Sequence, residues 1–213
     1  MTEKHISVLL NESISSLNLK ENSIIVDCTL GYGGHSSNIL ARIKKGFLFA
    51  FDQDSEAIRH STDRLNKIGT NFTIIKSNFV HLQEELNKIG VYKIDGALFD
   101  LGVSSPQLDD ETRGFSFHND AKLDMRMDRD QKLSAYEVVN NYSKEELSRI
   151  FHKYGEDKFS NNIAKKIITL SVVLALAVAA VLAFYHTIVA PPTEVLLVNS
   201  HKVKIEERIS EFS

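Results

Sequence analysis

Asp100 closes an apolar run, Ile94 to Phe99, and opens the stretch Asp100-Leu-Gly-Val-Ser-Ser-Pro-Gln-Leu-Asp109. Arg113-Gly-Phe-Ser-Phe117 and Leu123-Asp-Met-Arg-Met-Asp128 follow it. An apolar run that breaks into Gly, Ser and Pro reads as a strand entering a loop. Such a strand delivers the Asp100 carboxylate to an open strand end, where ligands bind in open α/β sheets. A second place of this kind is Thr29-Leu-Gly31-Tyr-Gly33-Gly34-His35-Ser36. Its glycines let the backbone approach a cofactor, and the helix that follows offers free N–H groups to a carboxylate or phosphate. A plain turn fits the same residues, because their spacing is not the full dinucleotide fingerprint.

Asp52 closes Phe49-Ala-Phe-Asp52. It lies about 20 residues past the glycine turn, placed to accept hydrogen bonds from ribose hydroxyls. The alternative is a helix cap, but Asp54 or Ser55 can fill that role and leave Asp52 for a ligand. Ser77-Asn78-Phe79 sets an aromatic ring beside the same rim, suited to an adenine face or to core packing. Glycine turn plus ribose-binding acid fits either a nicotinamide cofactor or S-adenosylmethionine. No His/Arg/Asp set of the kind used in hydride transfer follows downstream. Methyl transfer needs less: in-line geometry and an acceptor for the nucleophile's proton.

The elements that must position these groups are legible in the same way. Four apolar runs, Ser23–Cys28, Gly46–Asp52, Phe72–Lys76 and Ile94–Asp100, end near Asp27, Asp52, Asn78 and Asp100. Those polar residues are 25, 26 and 22 positions apart, a strand plus a returning helix each time. The spacing predicts a parallel sheet with one ligand-binding rim at its carboxyl ends. Ser36–Ile43, Ser55–Ile68 and Val80–Ile89 carry the amphipathic period of the connecting helices.

Beyond Asp100 the pattern changes. Residues 101–133 are rich in turn formers, and helical periods return at Ser134–Asn140, Ser143–Phe151 and Phe159–Ile168. Ser143-Lys-Glu-Glu146 is a capping box. Thr169–Ala190 contains no Asp, Glu, Lys or Arg, and 18 of its 22 residues are apolar. That is long enough to span a bilayer. Lys165-Lys166 would then hold the preceding part in the cytoplasm; a buried helix is the competing reading. Pro191-Pro192 and a short polar tail, with a possible strand at Glu194–Val198, close the chain. The expected division is 1–104, a cofactor-binding domain; 105–168, a helical insertion; 169–190, an apolar helix; and 191–213, a tail.

Other clusters support plainer readings. Asp120, Asp124 and Asp128 are interleaved with Lys122, Arg126 and Arg129, so ion pairing or a structured loop is expected before metal binding. His5, His35 and His118 show no metal-ligand spacing. Tyr142–Ile168 holds six Lys/Arg against four Asp/Glu, with Phe151, Tyr154 and Phe159 among them. Such a face suits RNA or simply water. Net charge is -3 over 213 residues, so nucleic-acid contact must come from a local patch. The lone cysteine, Cys28, rules out an internal disulfide and sits where packing is expected. The polar start, Met-Thr-Glu-Lys-His, has no apolar signal-peptide core behind it, so the cytoplasm is the expected default.

Taken together, Gly31-Tyr-Gly-Gly-His-Ser36, Asp100 to Asp109, Arg113 to Phe117, Leu123 to Asp128 and Tyr154-Gly-Glu-Asp-Lys-Phe159 resemble the bacterial small-subunit ribosomal RNA cytosine-N4 methyltransferase family. The resemblance runs from about His5 to Ile168. It implies a Rossmann-like class I methyltransferase fold with a helical insertion, and S-adenosylmethionine as cofactor. It carries cofactor contacts to Gly33, Gly34, His35, Asp52, Phe79, Asp100 and Gln107. The substrate it implies is a cytosine of small-subunit ribosomal RNA. Asp100, with the backbone carbonyls of Leu101 to Ser104, is the candidate acceptor for the amine hydrogen; binding the cofactor's amino end is an equal alternative for Asp100. No metal is required. The family's later Phe-His-Ser-Leu-Glu-Asp-Arg-like run has no counterpart here, and only Val198-Asn-Ser-His201 to Glu206-Glu-Arg208 faintly echoes it. Loss of the last sheet strands is therefore expected, and a catalytically impaired remnant, tethered to the cytoplasmic face of a membrane or not, is the alternative function. Homodimer formation stays open.

Overall fold

A computed structural model describes residues 7–118 and 120–188. The chain divides into two compact units, residues 1–104 with 127–130 and residues 105–126 with 131–213.

The first unit contains α1 (Leu10–Ser16), β1 (Ile24–Asp27), α2 (Gly34–Arg42), β2 (Phe47–Asp52), α3 (Ser55–Asn66), β3 (Phe72–Lys76), a 3-10 turn (Phe79–His81), α4 (Leu82–Lys88) and β4 (Gly96–Leu98). All the pairings are parallel, in the order β3-β2-β1-β4. Chain order and sheet order differ because β1 sits between β2 and β4. The chain therefore reverses direction across the sheet beside β1, and that crevice is where open α/β sheets bind ligands.

The strands are apolar on both faces because both are covered. Ile25, Leu48 and Ala50 point into a core with Ile39 and Leu40 of α2 and Leu65 of α3. The alternate residues, Val26, Phe49 and Phe51, point the other way, onto Leu86 of α4. A period of two thus splits each strand between two cores. Phe51 is fully buried.

Several boundaries differ from the sequence expectation. α2 starts at Gly34, two residues early, because Gly33 adopts a left-handed conformation (φ 74) that ends the turn at once. The expected helix Val80–Ile89 splits into the 3-10 turn and α4, with the Asn78 side chain accepting from Val80 N–H at 3.0 Å. β4 is only Gly96–Leu98: it lies at the sheet edge, and the Asp95 carboxylate accepts the Ile24 N–H at 2.7 Å just before it.

The second unit contains α5 (Ser105–Asp109), a 3-10 turn (Glu111–Arg113), α6 (Ala135–Asn141), α7 (Lys144–Gly155) and α8 (Ser160–Ile188). Ser143 and Glu146 form the expected capping box at the start of α7. Leu147 of α7 and Ala164 of α8 are fully buried. The compositional shift at Thr169 falls inside α8, which is one continuous helix. Among the described residues no helix is long and apolar enough to cross a membrane. The membrane reading of 169–190 therefore gains no support. Val189 and Ala190, the possible strand Glu194–Val198, the faint echo to Arg208 and His5 lie outside the described residues.

Candidate functional site

The glycine turn after β1 is held from below. Asp27, expected on the rim, is instead wholly buried. Its carboxylate accepts the Ser36 hydroxyl at 2.6 Å and the Thr29 N–H at 3.1 Å. Burial pushes its carboxyl above the usual range, against the pull of those two hydrogen bonds. Asp27 therefore fixes the loop and is out of a ligand's reach. Ser61 of α3 adds a second tie, donating to the Gly31 carbonyl at 2.6 Å. Gly31 and Gly33 have φ of 49 and 74. An added Cβ on Gly33 would lie 3.2 Å from Ser61 Oγ, so both conformation and space favour glycine.

Asp52 sits where β2 ends, half-buried. Its two oxygens accept the Gly31 N–H at 2.8 Å and the Asp54 N–H at 2.9 Å. Each oxygen retains a lone pair for a further donor. Burial raises its carboxyl above the ordinary value, and the two N–H groups lower it. Asp54 caps α3 by accepting from Glu56 N–H at 3.0 Å. Asp52 is thus relieved of capping.

Phe79 is half-buried against the lower core and meets Phe99 edge-on, ring centres 5.6 Å apart. Both readings of Phe79 survive this: one side packs, and the ring still stands at the rim. Asp100 follows Phe99. Its N–H donates to Thr29 Oγ1 at 2.7 Å, which ties the end of β4 to the glycine turn. The Asp100 side chain is 46% exposed, within reach of solvent or a ligand, and Oδ2 lies 3.7 Å from His35 Nδ1. Ser104 is half-buried at the end of this unit.

Gly33, Gly34, His35, Asp52 and Asp100 are therefore joined through Gly31 and Thr29 in one rim, with Phe79 beside it. Gln107 belongs to the second unit, buried on α5. Sequence reasoning missed Ser61 and the second role of Thr29. The Thr29 position was inside the motif, but nothing in the pattern around Ser61 signals a contact thirty residues away.

The donor set suits S-adenosylmethionine. No side chain caps α2 at Gly33, and a helix start of this kind can offer N–H groups to a carboxylate such as the cofactor's amino-acid end. The half-buried Asp52 carboxylate suits ribose hydroxyls, and the Phe79 ring suits adenine.

The remaining candidates behave as structural groups. Cys28 is buried, and burial, aided by Asp27, pushes its thiol up to about 12, far from a reactive thiolate. In the second unit, Asp124 is gripped by Arg126 through Nε and Nη2, both at 2.7 Å. Arg113, buried beside them, donates to the Arg126 carbonyl at 3.0 Å. The Arg113 and Asp124 motifs thus build their own loop. Among the described residues no cluster of His, Cys, Asp and Glu has the form of a metal site.

Several known proteins are similar to this chain. A rRNA methylase from Streptococcus thermophilus is similar in structure, with 24% identity, TM-score 0.38, and coverage of 48% of this chain and 58% of that one. For a putative rRNA-methylase from Clostridium thermocellum the values are 24%, 0.34, 38% and 46%. For NSun6 from Pyrococcus horikoshii they are 22%, 0.37, 45% and 24%. This chain spans just over half the length of the first. The MraW methylase family model matches residues 2–194, further than the motif-bearing stretch 5–168. The chain therefore belongs to the MraW methylase family, with a Rossmann-like parallel sheet and S-adenosylmethionine as its cofactor.

Proposed function

We propose that this protein methylates the N4 amine of a cytosine in small-subunit ribosomal RNA. Family membership supports ribosomal RNA methylation, and one observation carries the finer reading. A partly exposed carboxylate, Asp100, stands at the sheet's carboxyl rim, tied by its backbone to the glycine turn.

S-adenosylmethionine, when bound, supplies an electrophilic methyl group. The chain's part is to hold that cofactor and to manage the amine. Asp52 would hold the ribose, the first turn of α2 the carboxylate end, and Phe79 the adenine face. A cytosine amine is a poor nucleophile because its lone pair is conjugated into the ring. A carboxylate accepting one amine hydrogen localises that pair and takes up the proton released when nitrogen gains the methyl group. Asp100 is the residue for this, with the carbonyls of Leu101 to Ser104 as further acceptors.

The second unit supports an RNA-facing role. Tyr154 and Phe159 are 72% and 68% exposed, and Lys153, Lys158, Lys165 and Lys166 are exposed near them in sequence. Lys153 Nζ stands 5.1 Å from the Tyr154 ring centre. Cations interleaved with open aromatic faces suit an unstacked nucleic-acid strand.

The test is transfer of a radiolabelled methyl group from S-adenosylmethionine to small ribosomal subunits that lack the modification. Label should enter the RNA and disappear with Asp100→Ala. Cofactor binding without transfer would instead support the impaired-remnant reading.

A further inference from the structure

His35 is 5% exposed, and its ring faces protein groups at both nitrogens. Nε2 lies 3.2 Å from the Val8 carbonyl oxygen, which can only accept, so Nε2 carries a hydrogen. In a neutral ring this leaves Nδ1 as a bare acceptor. Opposite it, at 3.7 Å, is Oδ2 of Asp100, also an acceptor. A hydrogen on Nδ1 would make this approach an attractive one. The other nearby carboxylate, Asp27, is committed to Ser36 and Thr29. Shortening the gap to Asp100 by about 1 Å would give a charge-assisted hydrogen bond.

We infer that His35 is a positioning residue for Asp100: anchored to the Val8 backbone through Nε2, it turns Nδ1 toward the carboxylate and sets the orientation from which Asp100 meets the substrate amine. This rests on the reading of Asp100 as the amine's acceptor. It assigns the ring a task distinct from a cofactor contact, which the buried ring leaves to the backbone of this loop.

Two substitutions separate the contacts on the full chain. In His35→Gln the amide nitrogen takes the place of Nε2, keeping Val8 and losing Asp100. In His35→Asn it takes the place of Nδ1, keeping Asp100 and losing Val8. His35→Gln should lower kcat on the order of ten-fold, with KM and Kd for S-adenosylmethionine little changed. His35→Asn should recover much of that loss. An equal fall in both variants, or a loss confined to cofactor affinity, overturns the inference.

A second readout is independent of turnover. In the 15N spectrum of the His35 imidazole, Asp100→Asn should move the Nδ1 resonance and leave Nε2 nearly still. An Nδ1 resonance indifferent to Asp100→Asn overturns the pairing even if the enzyme is active. A shifted resonance in a chain that transfers no methyl group supports the pairing and overturns the methyl-transfer reading instead.

Discussion

Replacing Asp52 by Asn probes the cofactor half most sharply, because the side chain keeps its shape and loses its charge. In the folded chain both oxygens already accept backbone hydrogens, from Gly31 at 2.8 Å and Asp54 at 2.9 Å. Asn has one acceptor and one NH2 group, so one of those N–H groups must face another donor. Orphaning it costs about 1–3 kcal/mol of stability. That part of the effect is structural and appears without cofactor, as a lower Tm. The functional part is separate. A ribose hydroxyl donating to a carboxylate contributes about 1.5–3 kcal/mol. At about 1.4 kcal/mol per decade, S-adenosylmethionine should bind roughly ten- to a hundred-fold more weakly. Calorimetric titration of the folded variant, below its Tm, measures this directly. The pH dependence gives an internal control. Burial holds the Asp52 carboxyl above the ordinary range, so it gains its proton earlier than a free carboxylate as pH falls. Affinity of the parent should decline through that window, while Asp52→Asn stays flat. An unchanged Kd beside a lowered Tm would refute the ribose assignment and leave Asp52 as a brace for the glycine turn.

Other outcomes follow from the same geometry. Gly33→Ala forces a left-handed residue and a Cβ 3.2 Å from Ser61 Oγ, so thermal unfolding should show a loss of about 1–2 kcal/mol. Leu147→Ala empties a fully buried site of the second unit and should destabilise by about 2–5 kcal/mol in denaturant titration. Asp27 is held above its usual range by burial, so the folded state binds a proton that the unfolded chain has released. Its contribution to stability is thus fully present below the ordinary carboxylate value and is lost as pH rises through the folded one. Relative to the parent, Asp27→Asn should gain in Tm as pH rises toward neutrality; parallel curves would contradict this. Tyr154→Ala with Phe159→Ala should weaken binding to unmodified small-subunit RNA by about ten-fold or more in filter assays, as loss of stacking predicts.

Much of the rim was legible in the sequence because the strand period is simple. Apolar runs about 25 residues apart marked β1, β2 and β3 within a residue or two of their observed ends. Asp52 and Asp100 were legible as strand-end carboxylates for the same reason. Asp27 looked identical in pattern but is buried, since β1 is central and its end is roofed by the glycine turn, with Ser36 reaching back to it. Neither Ser61 nor the His35–Asp100 approach has a local signature. Both depend on register and crossover geometry, which only the assembled sheet sets. The run of α8 through Thr169 was hidden by composition: polar and apolar stretches form one helix because nothing between them breaks it.

The identity of the methylated atom decides the proposed function. Small subunits lacking the modification, treated with the full chain and S-adenosylmethionine, would be digested to nucleosides and analysed by mass spectrometry. N4-methylcytidine is expected, and it should be absent when Asp100→Ala replaces the parent. Methyl groups on cytosine C5, on a ribose hydroxyl or on another base would contradict it.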